Sequence, residues 1–195
     1  YTTPEGRWRL RADRQHVDPR MLDLLLAYED KRFRSHFGID PLALARAFAQ
    51  LVVQRRIVSG GSTLTMQVAR LLEPRPQRSL TAKFRQMVRA IKIERSLSKD
   101  EILALYLSLA PYGGNLEGVR AASLTYFGKE PRRLTLGEAG LLVALPQSPE
   151  QRRPDRSHAG AIAARARVLD RLALSGVLTE DADGISAGAE VFAVT

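Results

Sequence analysis

Three features of the 195-residue sequence predict a mainly α-helical fold. Helix-start signals recur at Asp18-Pro19, Asp40-Pro41, Ser98-x-x-Glu101 and Thr135-x-x-Glu138, where a short polar side chain or a leading proline suits the first turn. Apolar residues return at three-and-four spacing over long windows, the period of one helix face. Strand-like alternation is confined to Arg7-Trp8-Arg9-Leu10-Arg11. The length fits one domain or two small lobes and buries a core without staples. With no cysteine, disulfides and thiolate metal sites are excluded. No apolar run reaches the roughly 18 residues of a membrane span. The chain has neither a Met start nor a signal peptide, so it reads as a domain cut from something longer, with a targeting or anchoring segment before Tyr1. Lys and Arg number 30 against 21 Asp and Glu, and the resulting +9 favours an anionic partner: nucleic acid, phosphate or a membrane surface.

The elements follow in order. Residues 1–17 suit a short edge strand or extended arm. Asp18 and Pro19 open a helix on which Leu22, Leu25 and Leu26 share a face that Glu29 and then Phe33 continue. On that face Glu29 points inward, and desolvation by apolar neighbours raises a carboxyl group's pKa toward that of a general base. The alternative is a helix-end glutamate turned to solvent or paired with Lys or Arg. Asp40-Pro41 opens a second helix whose run from Leu42 to Val53 is apolar on nearly every side, so it is either deeply buried or faces something greasy. Gly60-Gly61-Ser62-Thr63 turns into a third helix capped by Ser62, with free N–H groups suited to an anion. It is no nucleotide P-loop, because the Gly-Lys-Ser/Thr ending is missing.

A fourth helix covers about 80–96. Leu80, Phe84, Met87, Val88 and Ile91 form its apolar face, Arg85, Arg89 and Lys92 a solvated basic face, and Lys83 and Gln86 a flank between them. From Arg75 to Lys99 eight cations stand against one acid, Glu94. Ser98–Glu101 starts a helix through Leu109 and Thr135–Glu138 one through Leu145. Pro111–Asn115 reads as a loop, 117–127 as a helix ending at Gly128, 146–154 as irregular, and 158–174 as a helix stopped by Gly176. His16, His36 and His158 lie far apart, so no zinc site is expected. His36 reads as a hydrogen-bonded structural residue.

Taken together and in order, four motifs resemble the peptidoglycan glycosyltransferases, the strand-polymerising domains of class A penicillin-binding proteins and their monofunctional relatives. They are Glu29-Asp30-x-x-Phe33-x-x-His36-x-Gly38, Gly60-Gly61-Ser62-Thr63-Leu64-Thr65-x-Gln67, Lys99-x-x-Ile102-Leu103-x-x-Tyr106-Leu107 and Arg165-x-x-Val168-Leu169. The resemblance runs from about Leu22 to Leu172. It implies a lysozyme-like, two-lobed helical glycosyltransferase fold that polymerises lipid II at the periplasmic face of the bacterial inner membrane. It also implies inversion at the donor anomeric carbon and release of undecaprenyl pyrophosphate. Glu29 falls on the catalytic position, and Arg70, Arg78 and Lys83 fall where the family grips the pyrophosphate. Asp30, Ser62, Thr63, Gln67 and Gln86 fall among its substrate contacts. The implied partners are lipid II, the growing glycan strand, a membrane surface and a transpeptidase domain on the same full-length chain, with no nucleic acid.

Two departures stand out: the family's frequent second glutamate is Gln86, and the asparagine usual after Tyr-Leu is Ser108. Loss of a second carboxylate removes one cation ligand, so no cofactor is certain, and a divalent cation (Mg or Mn) is left open. Three other readings stay open: a catalytically degenerate module binding lipid II or glycan strands, a lysozyme-like lytic hydrolase, and a basic nucleic-acid binder. The last accounts for the charge but for neither Glu29 nor the greasy helix. The expected organisation is a glycosyltransferase domain over 1–178, with 179–195 starting a linker or a following domain.

Overall fold

The computed structural model describes residues 2–4, 6–54, 61–73, 79–176 and 178, without the side chains of 48 and 51–54. Nine α-helices dominate the described residues: α1 (Pro19–Glu29), α2 (Pro41–Gln54), α3 (Leu64–Leu71), α4 (Leu80–Ser96), α5 (Lys99–Leu109), α6 (Val119–Phe127), α7 (Leu136–Ala144), α8 (Pro149–Arg152) and α9 (His158–Leu174). The strands are short: β1 (Trp8–Arg9), β2 (Pro111–Gly113) and β3 (Leu116–Glu117), in the order β1-β3-β2. The chain divides into two compact units, one of Tyr1–Tyr28 with Leu107–Thr195, the other of Glu29–Tyr106.

In the first unit the expected edge strand shrinks to β1, which runs parallel to β3 while β2 runs antiparallel to it. Arg7 and Arg9 both close on Glu117, whose side chain is 7% exposed, so the arm is held by charge as well as by the ladder. Ser108 accepts from the Ala12 N–H at 3.0 Å and donates to the Ala12 carbonyl at 3.1 Å. It thereby does for the arm what a strand neighbour would do. Asp18 accepts the Arg20 and Leu134 N–H groups, both at 2.9 Å, fixing the start of α1. α7 is buried from Glu138 through Ala144, behind a capping box of Thr135 and Glu138. It packs on α9, where a Cβ at Gly140 would sit 2.9 Å from the end of the Leu169 side chain, which would have to shift to admit it. Pro111–Asn115 is not the loop expected, because β2 occupies most of it, and 146–154 contains a 3₁₀ turn and α8.

In the second unit α3 packs on α4. The face of α4 that is buried differs from the one expected. Leu80 is 88% exposed, Phe84 67% and Val88 39%, whereas Ala82 and Ala90 are fully buried. Small residues let the neighbours approach: a Cβ on Gly38 would come within 2.8 Å of the Ala90 backbone, and its φ of +81° is itself the glycine region. A bulky apolar stripe therefore faces outward because the small one is what close packing selects. Among the described residues no helix is long and apolar enough to cross a membrane.

Candidate active site

Every described candidate residue lies in the Glu29–Tyr106 unit, and α3 organises them. Its cap is Thr63 rather than the expected Ser62. The Thr63 hydroxyl oxygen accepts the Met66 N–H at 3.1 Å and donates to the Gly38 carbonyl at 2.6 Å. The next free N–H, that of Leu64, goes to Asp30 Oδ2 at 2.8 Å. The anion favoured at this helix start is thus the protein's own Asp30, a carboxylate against the positive end of α3. Asp30 is also bound by His36, whose Nε2 lies 2.9 and 3.0 Å from its two oxygens. Because a carboxylate only accepts, this nitrogen carries the proton. Both side chains are buried, at 3% and 5% exposed. His36 is the structural residue expected, and Asp30 and Thr63 turn their polar atoms into the protein while Ser62 stays half-buried.

Further bonds lock α3 in place. Thr65 donates to Glu94 at 2.7 Å, and the Lys99 ammonium reaches the same oxygen at 2.5 Å while sitting 4.6 Å over the Phe33 ring. Three of the family motifs thus meet in one cluster. Phe33 is buried as its spacing suggests, but from a turn that follows α1 rather than from α1 itself.

Glu29 is the last residue of α1 and is half-buried, not facing the core. Leu22 and Leu25 are buried while Leu26 and Glu29 are not fully so, because a helix face drifts around the axis and the helix stops. One turn into α3, the Gln67 side-chain amide donates to Glu29 Oε2 at 2.9 Å. Arg70 is exposed, three residues further along the same face of α3. On α4, Lys83 is exposed and Gln86 half-buried, again three apart. Arg78 lies outside the described residues.

Arg85 and Arg89 are not the purely solvated face expected. They converge on Glu73 at 3.4 and 3.0 Å, and its side chain is only 4% exposed. Glu73 is the only acid between Asp40 and Glu94, and an isolated acid just ahead of a basic run is the signal that would have pointed to it. At the edge of the unit, Asp40 caps α2 through the Ala43 N–H at 3.0 Å and pairs with Arg32. Burial works against its charge, but the N–H and the guanidinium outweigh that and hold its pKa below the usual value. No group of three His, Cys, Asp or Glu that would hold a metal ion occurs among the described residues. Gln86 presents a neutral amide, a weaker ligand for a divalent cation than a carboxylate would be.

Comparison with known proteins identifies the family to which this chain belongs. A family described as Transglycosylase matches residues 1–173. Penicillin-binding protein 1C of Escherichia coli (strain K12) is 48% identical over 181 residues, covering 93% of this chain and 23% of that protein. Penicillin-binding protein 1A of Aquifex aeolicus (strain VF5) is 39% identical over 165 residues, 85% of this chain and 23% of that protein. The 1A protein of E. coli is 38% identical over 164 residues, 84% and 19%. The chain spans under a quarter of the length of these curated relatives.

Proposed function

Because this chain belongs to the transglycosylase family, and is on that ground a peptidoglycan glycosyltransferase domain of the penicillin-binding protein kind, we propose that it polymerises lipid II into glycan strands with inversion at the donor anomeric carbon. The observation that carries this reading is Glu29, a half-buried carboxylate bonded to Gln67 in a unit that also presents Arg70 and Lys83 as exposed cations. The acceptor 4-hydroxyl attacks the anomeric carbon. As the new O–C bond forms, the bond from that carbon to the pyrophosphate oxygen breaks, and Glu29 takes the hydroxyl proton. The electron pair leaves on undecaprenyl pyrophosphate, whose charge Arg70 and Lys83, with Arg78, neutralise. The leaving group needs no acid, so one carboxylate is enough, whereas a glycosidase needs two. Attack opposite the leaving group turns an α linkage into β.

Ser62 and Gln86 serve as hydrogen-bonding contacts to the substrate. The same unit leaves Phe37, Leu42, Leu72, Leu80 and Phe84 more than half exposed beside its cations, which supports a membrane-surface partner for a lipid-borne substrate. We further propose that in the full-length protein the domain works at the periplasmic face of the inner membrane, with a transpeptidase domain on the same chain.

Incubating the domain with labelled lipid II in detergent and sizing the product tests the reading. Wild type should make polymer, and Glu29→Gln should lower the rate by at least ~10² while leaving substrate binding in place. Equal rates would remove Glu29 from the mechanism. Absence of polymer from both would favour the degenerate binding module that Gln86 suggests.

A further inference from the structure

Glu73 follows the end of α3, and two arginines of α4 meet on it. Arg89 Nη1 donates to its Oε1 at 3.0 Å, and Arg85 Nε lies 3.4 Å from the same oxygen. The other oxygen, Oε2, is buried without a hydrogen-bond partner among the described residues. A bidentate pair would set one guanidinium fork across both oxygens. Here a single oxygen gathers both arginines, so the terminal nitrogens of Arg85 and the remaining edge of Arg89 are left for an acceptor outside the cluster. The Glu73 side chain is 4% exposed while those of Arg85 and Arg89 are 50% and 45% exposed, so the two cations are held from within and presented at the surface.

The surroundings narrow the class of acceptor. Leu80, Phe84 and Val88 follow one another at four-residue steps along the exposed side of α4, and Arg85 and Arg89 form a parallel row one residue on. Lys92 closes the apolar row, and no acid occurs from Leu80 to Ile93. An apolar row beside a basic one is the pattern of a helix that lies in the headgroup layer of a membrane. Lys83 sits about 160° round the helix axis from Arg85, so the arginine pair is separate from the cations given to the pyrophosphate.

We propose that Arg85 and Arg89, held by Glu73, form a site for the phosphate of an anionic phospholipid whose acyl chains lie along Leu80 and Phe84. The proposal rests on the membrane-surface partner inferred above and gives that partner a chemistry. Two guanidiniums stand against one carboxylate, which leaves the cluster positive, and each offers planar paired donors that match phosphate oxygens. Because Glu73 already restrains both side chains, less freedom is lost when the phosphate arrives.

The test is partition of the chain onto vesicles of phosphatidylcholine with and without phosphatidylglycerol. Wild type should bind the mixed vesicles more tightly and be released as salt is raised. The double variant Arg85→Lys/Arg89→Lys keeps every charge but loses the forks, and should bind them about three- to tenfold more weakly at an unchanged melting temperature. Should it melt lower, Arg85→Lys alone, which alters only the longer contact to Glu73, should weaken binding in the same direction. Arg95→Lys, exposed on the same helix, should change binding less than about twofold.

Binding by the lysine variants equal to wild type would leave only general charge attraction and overturn the site. Inorganic phosphate should displace the chain no better than chloride at equal ionic strength; selective displacement would make this a free-anion site and overturn the lipid assignment. A fall in lipid II polymerisation in detergent, with vesicle binding intact, would give the pair to the substrate and overturn it as well. If wild type did not distinguish the mixed vesicles at all, the membrane-surface reading beneath the proposal would fail instead.

Discussion

α7 and α4 are both helices that carry several large apolar side chains, yet they place them in opposite ways. α7 buries Leu141, Leu142 and Val143 at 1% exposure or less and forms the spine of its unit with α9. α4 buries two alanines and turns Leu80, Phe84 and Val88 outward. Helical periodicity shows that a face exists, but which face goes inward is decided by what packs against it. For α4 the neighbours are α3 and the Gly38 backbone, which come too close for a large side chain. An apolar residue on α7 is thus a stability residue, and one on α4 is free to serve a surface.

Truncation inside α7 should produce the largest stability effect. Leu142→Ala should cost about 2–5 kcal/mol, read as a lower melting temperature or urea midpoint, since the atoms removed leave a cavity in a closed environment. A change under 0.5 kcal/mol would break the contrast from the α7 side. Gly38→Ala comes next. It adds a Cβ at positive φ and 2.8 Å from the Ala90 backbone, so it should cost about 1–3 kcal/mol from the dihedral alone and loosen the loop that carries His36. Unchanged stability there would mean that α4 is not held closely by its small face.

Asp18→Ala should cost about 1 kcal/mol through the lost cap of α1. Burial opposes the Asp18 charge, but the Leu134 and Arg20 N–H groups and the Arg20 side chain prevail, so its folded pKa lies below the ordinary one. A depressed carboxyl stabilises the fold above its unfolded pKa, near 4, and that contribution is lost as pH falls through the lower folded value. The acid limb of stability should therefore flatten in Asp18→Ala, and a variant as acid-sensitive as wild type would count against the assignment. The smallest stability effect is expected for Phe84→Ala, within about 0.5 kcal/mol, paired with several-fold weaker binding to anionic lipid vesicles. A loss above 2 kcal/mol would show that Phe84 is packed after all.

What could be read from sequence was what is local. Asp18, Asp40, Ser98–Glu101 and Thr135–Glu138 signal their helices within three or four residues, and each makes its capping bond in the structure. The family motifs named the residues that gather on α3 but not how they meet, because the partners of Glu29 and Asp30 lie 38 and 34 residues away. Thr63 displaced Ser62 as the cap because only one of two adjacent hydroxyls can occupy the half-extended position, and Gly38 bonds that one. The Arg85–Glu73–Arg89 cluster crosses a proline-containing break that period analysis does not bridge. β2 and β3 are too short for any alternation to register.

The attachment of α3 also determines which insertions this architecture can absorb. Asp30 and Leu64 close a loop of 34 residues, and the entropy of closing such a loop grows only by about 0.6 kcal/mol for each doubling of its length. Extra residues placed inside that loop, away from its helix, leave the relation of Glu29 to α3 untouched. A single residue inserted between Leu64 and Gln67 is another matter, since it would swing the amide about 100° around the helix axis and away from the carboxylate. Length variation among natural versions of this domain should therefore be found before Thr63 and be absent from the four positions that follow it.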